Sequence, residues 1–326
     1  DYLIGGLQLQ LSVAIDFTGS NGDPRKAGTL HHIDRGEFND YEKALTAVGA
    51  IIAKYDSDQM FPMLGFGAKY GGVVRHCFQL GQTPEVKGVK GMLDAYRDTF
   101  KSGLIMSGPT VFAEVIHLAA TRARREQEAA SRIGAQSYHI LLILTDGSVS
   151  NVEVTRQAIQ AASNSPLSIV IVGMGNADFS AMQFLDDFQN GEFGGGGRDI
   201  CQFVEFSRHK YNKRSLTKAS LEEIPDQVVE YFYTNNRIKP NPPISDNRVV
   251  PEEYSEEEQI NVDFDFGDDG EIKLCGGGVC NDTSYGNMNA FTGITPMAPP
   301  PPQVTAAPTV YTPQIYHQPS NNNMAQ

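Results

Sequence analysis

Three sequence features that mark particular classes of protein are rare or absent in these 326 residues. It has only four cysteines, most of them far apart, which argues against a disulfide framework and for a reducing compartment. It has no run of about 18 apolar residues, so no membrane span is predicted. It has no broad basic face, which argues against nucleic acid as a partner. We therefore expect a cytoplasmic protein that binds something other than nucleic acid.

Charge and proline divide the chain near residue 237. From Ile238 onward there are 3 basic and 12 acidic residues, so −9 of the net charge of −13 lies there, with twelve of the 18 prolines. This part is first acidic and then rich in Pro, Asn and Gln, and it lacks the apolar periodicity that a buried core needs. We predict one domain over 1–237 and a disordered tail over 238–326. Because the first residue is Asp1 rather than Met, we also expect the chain to be a piece of a longer protein.

Before residue 237, apolar runs typical of strands alternate with segments of helical periodicity. Strands are predicted over 7–15, 60–67, 139–147, 167–175 and 200–206. Helices are predicted over 41–55, 89–100, 110–126, 152–162, 178–187 and 221–234. This alternation predicts an α/β fold, doubly wound, with a mostly parallel central sheet and helices on both faces. Ligands of such sheets bind beyond the carboxyl ends of the strands, so the side chains that follow strands are the candidates for function.

Oxygen-bearing side chains collect at those strand ends. Asp16 ends the first predicted strand, Thr18 and Ser20 follow it at alternate positions, and Asp146 ends the strongest strand of the chain. Thr110, in "SGPT", is predicted to begin a helix. Two carboxylates and three hydroxyls, with no Cys or His among them, suit Mg²⁺ or Mn²⁺ with a few waters.

Each of these residues also has an ordinary structural explanation. A threonine after Gly-Pro is a common helix N-cap, and an aspartate followed by glycine commonly forms a turn. Their concentration at the ends of separate strands of one sheet favours a metal site over these separate explanations. Asn21, Asp23 and Ser148 are candidates for its rim or for supporting positions.

Five motifs resemble one known family. "DFTGSNGDP", "GFGAK", "SGPTVFAEVI", "LLILTDGSV" and "PLSIVIVGMG" are similar, over about residues 1–236, to the A domain of the copines, a branch of the von Willebrand factor A-type (vWA) domains. The resemblance implies a vWA-like fold with a metal-ion-dependent adhesion site (MIDAS). It implies that the ion is held by Asp16, Thr18, Ser20, Thr110 and Asp146. Mg²⁺ fits best, with Mn²⁺ or Ca²⁺ as alternatives.

The resemblance also implies what kind of protein this is. It predicts a metal-dependent protein-interaction domain, not an enzyme, whose partner is an intracellular protein that presents Asp or Glu to the ion. Copines carry two C2 domains that bind phospholipid with calcium, and none of that sequence is present here. Binding to membrane phospholipid, and recruitment to the plasma membrane, would therefore belong to the parent protein.

Two enzymatic alternatives stay open at this point. A plant group of copine relatives acts as E3 ubiquitin ligases through a RING finger, but the tail lacks the necessary series of Cys and His. A Mg²⁺-dependent phosphatase-like hydrolase would use Asp16 as its nucleophile. That class has a second aspartate two residues later as general acid, and Thr18 stands there instead.

Overall fold

The protein is described by a computed structural model over residues 1–34, 36–56, 58–70, 72–147, 149–187 and 197–243, and in the backbone of two short strands farther on. In the described residues, no helix combines the length and the apolar character that crossing a bilayer requires.

The centre of the domain is a sheet of six strands: β1 (Gln8–Asp16), β3 (Met63–Phe66), β6 (Phe78–Gln79), β9 (Ser137–Thr145), β10 (Leu167–Gly173) and β11 (Cys201–Glu205). Their order across the sheet is β11-β10-β9-β1-β3-β6. All neighbouring strands are parallel except β6, which runs antiparallel to β3 at one edge. Every residue of β9 and β10 is buried, as expected for strands that helices cover on both faces.

Two separate apolar clusters lie on the two faces of this sheet. Alternate residues of β1 contribute to each: Val13 and Ile15 to one cluster, and Ala14 to the other. The helices that cover the faces are α1 (Asp40–Ile52), α2 (Gly88–Thr99), α3 (Ala113–Arg132), α4 (Val152–Ala162), α5 (Ser180–Asp187), α6 (Lys213–Leu221) and α7 (Ile224–Val229). The cluster with Val13 includes residues of α1, α2, α6 and α7, and the other includes residues of α3, α4 and α5. The predicted doubly wound α/β fold is confirmed.

Besides the main sheet, the described residues up to 243 form two smaller sheets. Strands β2 (Met60–Phe61) and β7 (Val86–Lys87) pair antiparallel. Strands β4 (Ala68–Tyr70), β5 (Val73–Arg75) and β8 (Ile105–Met106) form a three-stranded antiparallel sheet. These short elements lack an apolar periodicity of their own and were not predicted, except for β2, which lies within the strand predicted over 60–67.

Three predicted elements differ from the structure. The strand predicted over 60–67 is divided at Pro62 into β2 and β3, consistent with the missing N–H of proline. The helix predicted from Thr110 begins only at Ala113, so Thr110 lies in the loop before α3. In place of the helix predicted over 221–234, the structure has α7 followed by a π-helical turn, Glu230–Asn235. The preceding helix, α6, was not predicted.

The contacts of the domain continue a few residues past the predicted boundary at 237. The Tyr2 hydroxyl donates to the carbonyl of Ile238, and the Gln136 amide donates to that of Lys239. Beyond residue 243, β12 (Phe264–Phe266) and β13 (Ile272–Leu274) pair antiparallel. The rest of the predicted tail lies outside the described residues, so its disorder stays a prediction.

Candidate functional site

The loop after β1 places Asp16, Thr18 and Ser20 at the carboxyl end of the sheet. β1 ends at Asp16, and a 3-10 turn over Gly19–Asn21 follows. The backbone N–H of Thr18 donates to Asp16 Oδ1 over 2.8 Å, so the chain folds back over the carboxylate. Asp16 is fully buried and Thr18 is nearly so. The alternate spacing that we noted in the sequence thus produces a loop whose oxygens turn toward one another.

Asp146 reaches this loop from the neighbouring strand. It directly follows β9, which pairs with β1 in parallel register, so both strands end at the same edge of the sheet. The Ser20 hydroxyl donates to Asp146 Oδ1 over 3.0 Å, and the Thr18 hydroxyl reaches the same atom at 3.5 Å. The Thr18 and Ser20 hydroxyls are 2.9 Å apart. The structure therefore brings together four of the five predicted ligands through direct contacts.

Thr110 lies in a segment that contacts the same loop. Ser107, three residues before Thr110, forms an isolated parallel bridge with Thr18 and accepts the Gly19 N–H at 2.7 Å. The backbone of Thr110 is held by Ser150: its N–H donates to Ser150 Oγ, and its carbonyl accepts the Ser150 N–H. The side chain of Thr110 is nearly buried, and no hydrogen bond joins it to the four other candidates within the described residues.

The three residues predicted for the rim have different outcomes. Asn21 is buried, and its amide lies 3.3 Å from the Thr18 carbonyl and 3.5 Å from the Thr18 hydroxyl. Asp23 instead forms a bidentate pair with Arg25, whose hydrogen bonds lower the pKa of Asp23 to about 2. Ser148 lies outside the described residues.

Several supporting residues were not predicted from the sequence. The Thr145 hydroxyl donates to Asp16 Oδ2 over 2.6 Å, and the Tyr41 hydroxyl donates to Asn21 Oδ1 over the same distance. His31 Nε2 lies 2.8 Å from the Asp16 carbonyl. Thr145 was visible as a polar residue inside an otherwise apolar strand, directly before a candidate ligand. Nothing in the sequence indicated Tyr41 or His31, because their contacts depend on tertiary packing.

Gly67 leaves room for the loop. Its φ is +75°, and a Cβ built on it would lie 2.3 Å from Thr18 Cγ2. This conformation and this approach both require glycine. Gly67 of the "GFGAK" motif therefore allows the strand end to pack closely against Thr18.

Negative charge is concentrated at the site. Burial, and next the charge of Asp146, raise the pKa of Asp16 to about 7, although hydrogen bonds from Thr145 and Thr18 oppose the shift. Burial also raises the pKa of Asp146, against hydrogen bonds led by that from Ser20. Within the described residues, neither carboxylate forms an ion pair with Lys, Arg or His. Two buried carboxylates without a neighbouring cation fit a site for a divalent ion.

Hydroxyl groups are an essential part of this donor set. Over the residues that the structure describes, there is no group of three or more His, Cys, Asp and Glu placed to hold a metal. Asp16 and Asp146 supply two carboxylates, and Thr18 and Ser20 supply neutral oxygens. An all-oxygen set with few charges suits a hard cation that keeps some of its water, as Mg²⁺ does.

Two solved structures resemble the chain with low scores. One is the manganese-loaded TRAP protein of Plasmodium vivax, with a TM-score of 0.39 and 10% identity, covering 65% of this chain and 74% of that one. The other is the N-terminal domain of TFIIH p34, with a TM-score of 0.42 and 13% identity, covering 65% and 98%. Neither resemblance is strong enough to support a conclusion about function.

The sequence comparisons are much closer. The copine family model matches residues 29–241, a range that contains Thr110 and Asp146 and begins after the loop with Asp16. Protein BONZAI 1 of Arabidopsis thaliana is 40% identical over 255 residues, which is 74% of this chain and 43% of that protein. The chain therefore spans less than half the length of this relative. The family match covers more than half of the chain, and the chain belongs to the copine family.

Proposed function

We propose that this chain is a metal-dependent protein-interaction domain of a copine-like protein. The observation that supports it is the meeting of two buried carboxylates, from Asp16 and Asp146, with the hydroxyls of Thr18 and Ser20. A divalent cation, Mg²⁺ in the first place, would be held by these residues and Thr110. When bound, the ion supplies an electrophilic position for a carboxylate of the partner, which is an intracellular protein that presents Asp or Glu.

Residues of the chain have distinct roles in this proposal. Thr18 and Ser20 contribute oxygen without charge, so only two carboxylates offset the ion and it keeps an attraction for a third. Thr145 and the Thr18 N–H hold the two oxygens of Asp16 in place. Asn21 fixes the backbone of the loop through Thr18.

The domain is proposed to bind and not to catalyse a reaction. At the position where a phosphatase-like hydrolase has a general acid, Thr18 has a hydroxyl engaged by Ser20, and a hydroxyl of ordinary pKa is a poor proton donor. Turnover of an aryl phosphate with Mg²⁺ that is lost in Asp16→Ala would contradict this assignment. We place the protein in the cytoplasm and assign phospholipid binding, with recruitment to the plasma membrane, to C2 domains of the parent protein.

Calorimetry tests the proposal directly. Mg²⁺ and Mn²⁺ are titrated into chelator-treated protein, into Asp146→Ala and into a control, Asp98→Ala, whose carboxylate is exposed on α2 and paired with Lys101. We expect saturable one-site binding that is lost in Asp146→Ala and kept in the control, while circular dichroism shows that all three are folded. Mg²⁺ binding that is unchanged in Asp146→Ala would show that the ion is not held at this site.

The partner is tested with the same variants. Immobilised protein is incubated with a Glu-containing peptide in Mg²⁺ or in chelator, and we expect binding only in Mg²⁺ and only with Asp146 intact. Peptide binding that persists in chelator would show that the domain binds without a metal.

A further inference from the structure

A narrow basic segment, residues 208–218, contrasts with the charge of the rest of the chain. It holds Arg208, Lys210, Lys213, Arg214 and Lys218 and no acidic residue, in a chain of net charge −13. The segment comprises the end of the 3-10 turn after β11, a short loop and the first two turns of α6. The proposed metal site uses none of these residues.

The basic segment lies at the same end of the sheet as the metal site. It follows the carboxyl end of β11, which is parallel to β10, β9 and β1. In the strand order, β11 is three positions from β1. With neighbouring strands 4.8 Å apart, the two strand ends are separated by roughly 14 Å.

A groove of about 420 Å³ lies between the segment that follows the site loop and the start of the basic segment. Leu30 lines it near the site, since the Leu30 N–H donates to the carbonyl of Asn21. Ser207 and Lys210 line it at the basic segment, and Gly175 with Asn176, from the loop after β10, lies between. An extended peptide placed in this groove would contact Leu30, whose backbone is bonded to the site loop, and Lys210 of the basic segment.

Among the described residues, the basic ones nearest the groove are paired with acidic ones, whereas Arg214 and Lys218 are not. Glu205 pairs with Arg208, and Asp40 pairs with Lys210. Lys43, on the wall of the groove, lies near Glu37 and Asp40, and Asp34 also lines the groove. Arg214 and Lys218 lie one turn apart on α6, are exposed, and form no ion pair with any residue that the structure describes. Tyr211 beside them is 64% exposed. A ligand that complements this pattern is neutral in its middle and acidic at its far end.

We propose that the basic segment is a second contact for the partner of the metal site. The inference rests on the proposed function and makes the partner more specific. The partner presents one carboxylate to the site, a short uncharged stretch to the groove, and several acidic residues to Arg214 and Lys218. The uncharged stretch must span at least the roughly 14 Å between the two strand ends, which at about 3.3 Å per residue takes four or more residues. An acidic peptide fits better than a membrane, because a flat bilayer cannot follow a groove between loops.

Two fluorescent peptides test the spacing and the charge. The first has one Glu, about five Gly and Ser residues, and then about four Glu, a length that follows from the strand spacing. The second is the same peptide with Gln in place of the last group of Glu. Anisotropy is measured with the 326-residue chain in Mg²⁺ at low salt. We expect the first peptide to bind the wild type about tenfold more tightly than the second, because charge pairs at exposed positions add small increments.

Charge variants identify the contact. In Arg214→Glu/Lys218→Glu the difference between the two peptides should disappear, while the second peptide binds as before. The matched control is Lys90→Glu/Lys101→Glu, which makes the same change of charge at exposed positions of α2 and just beyond it. In this control the difference should persist. Arg214→Gln/Lys218→Gln provides the same test without reversal of charge if the first variant does not fold.

The outcomes separate the two proposals. A difference between the peptides that survives in both variants of the basic segment overturns the second contact and leaves the metal site untouched. A difference that is lost in these variants, with binding of both peptides independent of Mg²⁺, supports the second contact and refutes the metal-dependent function. If vesicles containing phosphatidylserine lose binding in Arg214→Glu/Lys218→Glu while the peptide difference remains, the segment contacts membranes and the proposal is wrong.

Discussion

Asp16→Asn is expected to stabilise the metal-free protein near neutral pH and to remove its response to Mg²⁺. Asp16 is fully buried, and burial, followed by the charge of Asp146, raises its pKa from 3.8 to about 7. The folded protein thus holds a proton that the unfolded chain has released. Stability therefore falls as the pH rises from about 4 to about 7, by about 4 kcal/mol at roughly 1.4 kcal/mol per pH unit.

The asparagine variant recovers part of this free energy. It has the shape of the aspartate without its charge, and its Oδ1 still accepts the N–H of Thr18. In the wild type the Thr145 hydroxyl donates to Asp16 Oδ2. In the variant an amide NH₂ group takes the place of Oδ2, and the Thr145 hydroxyl must accept from it. With about 1 kcal/mol lost for this exchange, about 3 kcal/mol remains at pH 7. In a domain of this size that corresponds to an increase in Tm of roughly 6–12 °C.

Thermal unfolding in chelator at pH 5, 6 and 7 measures the effect. The variant should melt above the wild type at pH 7 and with a much smaller difference at pH 5, where Asp16 of the wild type is protonated. Added Mg²⁺ should raise the Tm of the wild type alone. Asp98→Asn, on the exposed surface of α2, is the control and should show neither change. The reasoning fails if the variant is less stable at pH 7 in chelator, or if its gain is the same at pH 5.

Three further predictions concern the site and a buried ion pair of the same domain. Gly67→Ala should lower the free energy of unfolding by about 2 kcal/mol and weaken Mg²⁺ binding, because its Cβ would overlap Thr18; denaturant unfolding with calorimetry measures both, and unchanged values would refute the overlap. Arg97→Ala should cost about 3 kcal/mol in urea unfolding, because it leaves the buried Glu42 carboxylate without its partner, and adding Glu42→Gln should restore part of the loss. Thr110→Ala should weaken Mg²⁺ binding in calorimetry with less than about 1 kcal/mol of stability change, whereas Thr110→Ser should bind as the wild type; equal effects of both would remove the hydroxyl from the site.

The long elements of the fold could be predicted because burial on both faces leaves a clear pattern. β9 and β10 are continuous apolar runs, and α4 spans the residues predicted for it, 152–162. α6 was missed because its nine residues carry many charges, and only Leu216 and Ser220 are buried. Its position is set by packing against α1 and β11 and not by its own periodicity.

The site could be predicted only in part, for a similar reason. Asp16 ends a strand, Ser20 and Asp146 follow strands, and the rule that parallel strands end at one edge places the three together. Asp23 has the same type of side chain but lies past the turn, where the nearby Arg25 captures it. Such local competition between neighbours is not visible in the spacing of a motif.

The side chains packed against the site are uncharged, so its negative charge is available to bind a cation. His31 is buried and its pKa is lowered to about 3, so the imidazole is neutral. Because the Asp16 carbonyl can only accept, Nε2 of His31 donates to it, and Nδ1 accepts from the hydroxyl of Tyr96. Tyr41 likewise donates to Asn21 from below.

These groups fix the position of the loop without neutralising it. A site that needed only rigidity could place an arginine against the carboxylates, as Arg97 is placed against the buried Glu42. Here every contact that positions Asp16 comes from a hydroxyl, an imidazole or a backbone N–H. The charge of the two carboxylates is therefore left to a proton or to a cation from solution. Competition between these two predicts that Mg²⁺ affinity measured by calorimetry falls as the pH is lowered through 7. If the Mg²⁺ affinity does not change between pH 8 and pH 6, Asp16 is already ionised in the metal-free protein.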